Sequence, residues 1–254
     1  MALAALIFDI DGTLSETEEL HRRAFNDVFA DFGLPWRWDV DLYRDLLDVA
    51  GGKERLAHFF ATHEGGAPGL ADRIAELHAA KTARYATLVA GGAARLRPGI
   101  ARLMRQARHA GLRLAIATTT SLPNVEALLC ATLGPGAVDL FAVIGAGDMV
   151  AAKKPAPDIY RYVLDALALP AGACVAFEDS SNGLVAAHGA GLPTLVTPSL
   201  YTAHQTGAGA FDGALATLSD LGEPGAPYRH IAGAGHGEDM VTIEALERWL
   251  RRIA

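Results

Sequence analysis

Cysteine is nearly absent from this chain of 254 residues: Cys130 and Cys174 stand far apart and form no Cys-x-x-Cys. That excludes a disulfide framework and a cysteine-ligated zinc site. Lysine is scarce as well, with Lys53, Lys81, Lys153 and Lys154 set against 18 arginines. Positive charge is outweighed overall, 22 Lys and Arg against 29 Asp and Glu, for a formal net charge of −7. This balance argues against nucleic acid as a partner. No apolar run approaches the ~18 residues of a membrane-spanning helix, and the 51% hydrophobic share owes much to alanine. The stretch Met1 to Phe8 lacks a basic start and runs directly into Asp9, unlike a signal peptide. These absences predict a soluble, cytoplasmic globular protein without a nucleic-acid or membrane partner; a monomer is expected, although the sequence leaves oligomeric state open. In a chain that otherwise favours arginine, the few ammonium groups become candidates for chemistry.

What is present is an alternation of buried strands and amphipathic helices. Leu3 to Phe8 reads as an apolar strand, followed later by Leu112 to Ala117, Phe141 to Ile144, Cys174 to Phe177 and Thr194 to Val196. Between the later strands lie helical patterns at Ile100 to Ala110, Pro123 to Leu133, Pro157 to Leu167 and Asn182 to Ala190. The expected fold class is therefore α/β, a Rossmann-like parallel sheet. From Glu16 to Leu96 the alternation stops. Helical patterns occupy Glu18 to Phe32, Asp39 to Asp48, Lys53 to Thr62 and Leu70 to Val89, separated by glycine and proline breaks at 33–35, 51–52, 65–66 and 91–92. The expected organisation is a core of residues 1–15 and 97–254 with an inserted helical-bundle cap of residues 16–96. The insert leaves at the carboxyl end of the first strand, where open α/β sheets bind ligands. Beyond Pro198 the pattern weakens: 206–210 and 222–237 read as loops, Ile243 to Ile253 as a last helix, and Glu223 to Ala254 has no assigned role.

Four segments at or soon after strand ends carry chemistry. Asp9-Ile10-Asp11-Gly12-Thr13 places two carboxylates at the mouth of a buried strand, a costly arrangement unless a cation or other partner organises them. Thr118-Thr119-Thr120-Ser121 puts hydroxyls and free N–H groups at a strand end and helix start, a ready anion site that is also compatible with plain capping. Lys153-Lys154-Pro155 supplies an ammonium before a proline-started helix. Glu178-Asp179 is a second acidic pair at a strand end.

In this order the segments resemble the haloacid dehalogenase superfamily of phosphotransferases, over Leu3 to Thr197. The resemblance implies that Asp9 is the nucleophile that becomes an aspartyl-phosphate and Asp11 the general acid/base. It further implies that Thr118 and Lys154 hold the transferring phosphoryl group, and that Mg²⁺ is bound by Asp9, the Asp11 carbonyl and Asp179 with Glu178 beside them. The helical insert resembles that of the β-phosphoglucomutase-like branch. Glu16-Thr17-Glu18-Glu19-Leu20-His21-Arg22, Gly51-Gly52-Lys53-Glu54-Arg55, His78-Ala79-Ala80-Lys81 and Thr118 to Asn124 are similar to the CbbY sugar-bisphosphate phosphatases, which remove xylulose-1,5-bisphosphate, an inhibitor of Rubisco in the Calvin cycle. Substrate contacts are thereby implied for Glu18, Gly51, Gly52, Lys53, Glu54, Arg55, His78, Lys81, Thr118, Thr119, Thr120, Ser121 and Asn124. A second substrate phosphate explains cations in the insert, namely Lys53, Arg55 and Lys81. The expected function is Mg²⁺-dependent hydrolysis of a sugar bisphosphate. The alternatives are a phosphosugar mutase, a broad sugar-phosphate phosphatase or a non-catalytic sugar-phosphate sensor.

Other features are expected to be bland. Gly52-Lys53 fails as a P-loop because residue 47 is Leu and residue 54 is Glu. Gly233-Ala234-Gly235-His236-Gly237 reads as a surface loop, with His230 and His236 as loop residues and Lys153 as a solvated surface charge. His21 fits equally a helix surface and a place in the site.

Overall fold

A computed structural model of the chain describes residues 2–63, 68–207 and 209–253. Its seven-stranded sheet has the order β3-β2-β1-β4-β5-β6-β7. The strands are β1 (Ala5–Phe8), β2 (Arg113–Ala117), β3 (Val143–Gly145), β4 (Cys174–Glu178), β5 (Thr194–Val196), β6 (Ala216–Leu218) and β7 (His230–Gly233). All neighbouring pairs are parallel except β6 and β7. The central strands are buried on both faces, which explains their continuous apolar runs.

The alternation of side chains along β1 divides the core. Leu6 and Phe8 join one apolar cluster together with residues of α5 (Ile100–His109), α6 (Leu122–Leu133) and α9 (Ile243–Ile253). Ala5 and Ile7 join another, under α7 (Asp158–Leu167) and α8 (Ser181–Gly189). The expected α/β fold with a parallel core is what forms.

Between β1 and α5 the chain is helical: α1 (Glu18–Asp31), α2 (Val40–Leu46), α3 (Gly52–Thr62) and α4 (Ile74–Leu88). These helices have a core of their own, made of Phe25, Phe29, Trp38, Tyr43, Phe59 and neighbours. The expected break at 65–66 lies outside the described residues. The two connections of the insert run side by side: Ser15 pairs with Leu96, Arg97 N donates to Leu14 O at 2.8 Å, and Ser15 Oγ donates to Arg95 O at 2.7 Å.

The reading of 222–237 as loop is corrected. β7 forms there and closes the sheet as an antiparallel edge, so the glycine-rich stretch does follow a strand, although no helix starts on it. The tail packs on the core. Trp249 is fully buried, its Nε1 donates to Glu238 Oε1 at 3.1 Å, and a Cβ on Gly235 (φ 89°) would lie 2.9 Å from its ring.

Candidate active site

Sheet register builds the floor of the site. Phe8 is level with Ile116 on β2 and Phe177 on β4, so Asp9, Ala117 and Glu178 emerge together at one edge. The Lys154 ammonium donates to all three: Asp9 Oδ1 at 2.7 Å, Ala117 O at 2.9 Å and Glu178 Oε1 at 2.6 Å. Tyr160 on α7 donates to the same Glu178 oxygen at 2.5 Å. Among the described residues Glu178 Oε2, which is buried, has no hydrogen-bond partner. One carboxylate oxygen each from Asp9, Glu178 and Asp179 lies within 4.8 Å of the others, all buried.

The electrostatics of this floor are unbalanced. Burial pushes the Asp9 carboxyl up to about 7, against the pull of Lys154 and with Glu178 and Asp11 adding repulsion. Burial likewise holds Asp179 well above the carboxylate range, reinforced by Asp9 and Glu178. For Lys154, burial works against the charge, but Asp9 and Glu178 outweigh it and raise its pKa. Three clustered carboxylates with one ammonium between them and one orphaned oxygen form a hard, oxygen-only donor set. Such a set suits Mg²⁺.

Asp11 is treated differently from Asp9. Burial raises it, but the bonds from His21 and Thr17 and the nearby Lys81 charge outweigh burial and hold it at about 2. Thr17 Oγ1 donates to Asp11 Oδ1 at 2.5 Å and His21 Nε2 lies 2.9 Å from the same atom. His21 Nδ1 is 2.6 Å from Lys81 Nζ, and its ring stacks on Tyr85 with centroids 4.0 Å apart. His21, which the sequence leaves open, is buried inside the site.

The insert forms the roof of a cavity of about 120 Å³ over this floor. Glu18, Gly51 to Arg55, His78, Lys81 and Thr118 to Ser121 line it. Gly51 is required at a left-handed position (φ 94°), and a Cβ on Gly52 would lie 2.6 Å from His78 Nε2. Burial, with Lys81 and Lys53 nearby, lowers His78 to about 4.

Four expectations change. Asn124 is buried at the start of α6 and does not line the cavity. Arg55, one of three cations grouped as phosphate readers, turns back into the insert: it donates to Leu46 O, Val49 O and Tyr43 Oη, and Tyr43 donates to Glu18 at 2.7 Å. Lys81 and Lys53 face different partners, because Lys81 meets His21 whereas Lys53 pairs with Asp148 across the mouth at 3.2 Å. Lys153 is no solvated charge. Its side chain is 14% exposed, donates to Gly147 O at 2.6 Å and sits near Asp148 and Glu54. Asp148, Tyr201 and Thr202 also line the cavity, and nothing in the local sequence marks them.

A family model for haloacid dehalogenase-like hydrolases matches residues 3–191. The chain is 56% identical over 220 residues to protein CbbY of Cereibacter sphaeroides, covering 87% of this chain and 94% of that one. It is 49% identical over 251 residues to the plasmid-encoded CbbY of Cupriavidus necator, covering 97% and 96%. A crystal structure of a CbbY mutant from Rhodobacter sphaeroides in complex with xylulose-1,5-bisphosphate superposes with a TM-score of 0.81 at 54% identity, covering 86% of this chain and 94% of that one.

Proposed function

The chain belongs to the haloacid dehalogenase-like hydrolases and acts on phosphate esters, and on that premise we propose that its substrate is a sugar bisphosphate, xylulose-1,5-bisphosphate, in the service of the Calvin cycle. The observation that carries this reading is the distribution of charge in one cavity. Lys154 stands at the floor beside Asp9, and Lys53 and Lys153 stand at the mouth. A substrate with a phosphate at each end matches both. The complex of the Rhodobacter sphaeroides protein supports the choice of sugar.

In this reading one Asp9 oxygen attacks the phosphorus while the bond to the sugar oxygen breaks, leaving an aspartyl-phosphate. Asp11 supplies the proton that the departing alkoxide needs, then removes one from the water that attacks phosphorus and frees Asp9. Held at about 2 when its surroundings are cationic, Asp11 is an acceptor first. His21 Nε2 stands at hydrogen-bond distance from its Oδ1 and helps fix the carboxyl in place for both proton transfers. Lys154 and Thr118 hold the phosphoryl oxygens, and the roof excludes water from competing before the sugar has left. Asp9, Asp179 and the Asp11 carbonyl would hold Mg²⁺, with Glu178 beside them; the cation supplies charge neutralisation for the phosphoryl group. Residues 16–96 act as the cap, closing and opening on the paired connections at Ser15 and Leu96.

The test is to incubate the protein with xylulose-1,5-bisphosphate and Mg²⁺ and measure inorganic phosphate together with the phosphosugars. Stoichiometric phosphate and a sugar monophosphate are expected. Interconversion of phosphosugars with little free phosphate would make the protein a mutase.

A further inference from the structure

Residues 199–202 follow β5 at the carboxyl edge of the sheet, and neighbouring side chains in this segment reach in different directions. Thr202 Oγ1 lies 2.7 Å from the carbonyl oxygen of Asp179 and 3.2 Å from its Oδ2, so its single proton serves both. The same oxygen accepts from Ser199 N at 2.8 Å and lies 3.0 Å from Ser199 Oγ. Gly12 also packs closely on the carboxylate: a Cβ there would sit 2.2 Å from Asp179 Oδ2 and 3.0 Å from Ser199 Cβ. Thr202 and Ser199 are both buried.

Tyr201 reaches the insert instead. Its hydroxyl donates to Glu19 Oε2 on α1 at 2.8 Å, its ring meets Tyr43 of α2 edge-on at 5.7 Å, and it is a member of the insert's own apolar cluster. Leu200 N donates to Glu16 Oε2 at 3.3 Å. The root of the segment is fixed to the core by Arg97, which donates to Thr197 O at 2.6 Å and Pro198 O at 2.9 Å. A core segment thus carries a side chain seated in the insert directly beside one seated on an acid of the floor.

We propose that Tyr201 and Thr202 are positioning residues that couple the insert to the cation-holding carboxylate: Thr202 fixes Asp179, and Tyr201 sets where Thr202 stands. The proposal rests on the assignment of Asp179 to Mg²⁺ made above. Outer partners of metal ligands govern affinity because they fix the orientation of the ligand before the ion arrives. Thr202 contributes to Asp179 in this way through its hydroxyl. Movement of the insert shifts Tyr201, and with it the hydroxyl that holds Asp179.

The experiment is calorimetric titration of Mg²⁺ into the metal-free full-length protein, with no substrate present. Thr202→Val keeps the shape but removes the hydroxyl and should weaken Mg²⁺ binding by about 10- to 100-fold. Thr202→Ser restores the hydroxyl and should return the affinity to near that of the parent. Tyr201→Phe, which keeps the ring in its cluster, should weaken binding less than Thr202→Val and add nothing in the Thr202→Val background, since the path is already cut. A purely structural role would lower the unfolding midpoint and leave Mg²⁺ affinity in place. Parent-like affinity in Thr202→Val, or no recovery in Thr202→Ser, overturns the role of Thr202. Parent-like affinity in Tyr201→Phe, or an additive effect in the double variant, overturns the coupling. Asp179→Asn separates the two levels. If it leaves Mg²⁺ binding intact, the metal assignment falls and this proposal with it; if it abolishes binding while Thr202→Val does not weaken it, only the positioning role falls.

Discussion

Lys81 of α4 meets His21 of α1 at 2.6 Å, nitrogen to nitrogen, and the far side of the His21 ring reaches Asp11 at 2.9 Å. A buried cation carried by the insert thereby acts on a carboxylate of the sheet edge. The remaining cations at the roof have other business, Arg55 with backbone carbonyls and Lys53 with Asp148 at the mouth. Charge at the two ends of the cavity therefore comes from different lysines, and their substitution should have different consequences.

Lys53→Met should lower kcat/KM for xylulose-1,5-bisphosphate by about 10- to 150-fold, the equivalent of one charge-assisted hydrogen bond. Its effect on a monophosphate or on p-nitrophenyl phosphate should be much smaller. Lys81→Met and Lys154→Met should depress every substrate, because they act near Asp11 and Asp9. Steady-state kinetics on both substrate classes decides the matter; equal losses for Lys53→Met on both would remove Lys53 as the reader of the second phosphate.

Lys81 has its pKa lowered to about 7 by burial, with Arg55 adding to the effect and Asp11 and Glu18 opposing it. An anion entering the cavity favours the charged ammonium. Phosphate binding at pH 8 should therefore take up protons, and the uptake should fade below pH 6, where Lys81 is already charged. Calorimetry in buffers of different ionisation enthalpy measures this. Uptake of the same size in Lys81→Met would assign it elsewhere.

Asp9 titrates at about 7 in the folded chain against 3.8 as its ordinary value, chiefly through burial. The folded state then holds a proton that the unfolded state has lost, so this group's contribution to stability is full below pH ~4 and is lost as pH rises through 7. A cation at the floor favours the ionised form. Mg²⁺ should accordingly raise the unfolding midpoint more at pH 8 than at pH 5, with the difference erased by EDTA. Equal shifts at both pH values would contradict a Mg²⁺ site built on Asp9.

The parts of the site legible in the sequence are those fixed by local chain: each motif sits at or soon after a strand end, and the register of β1 against β2 and β4 brings Asp9, Ala117 and Glu178 level. Parallel strands buried on both faces announce themselves as apolar runs. β7 does not, since it includes His230 and Gly233 and exists through its pairing with β6. Lys153, Asp148, Tyr201 and Thr202 were equally hidden. Their roles come from partners far away in sequence, such as Glu54 for Lys153 and Glu19 for Tyr201. Arg55 shows the converse, a residue whose type suits phosphate but whose donors are taken by the turn it supports.

The tail supplies a stability test independent of chemistry. Trp249 is fully buried between α9 and the sheet, so Trp249→Ala should destabilise the fold by about 3–5 kcal/mol. Urea unfolding measures this, and turnover well below the midpoint should persist. A loss below 1 kcal/mol would show that the tail is not part of the core.

Sugar-bisphosphate hydrolysis through Asp9 is tested by kcat/KM for phosphate release across xylulose-1,5-bisphosphate, ribulose-1,5-bisphosphate, fructose-1,6-bisphosphate and the corresponding monophosphates, for the parent protein and Asp9→Asn. Xylulose-1,5-bisphosphate should lead the panel, its monophosphate should trail, and Asp9→Asn, folded as judged by circular dichroism, should turn over none of them. Release from monophosphates as fast as from bisphosphates, or activity in Asp9→Asn within a few-fold of the parent, would contradict that hydrolysis.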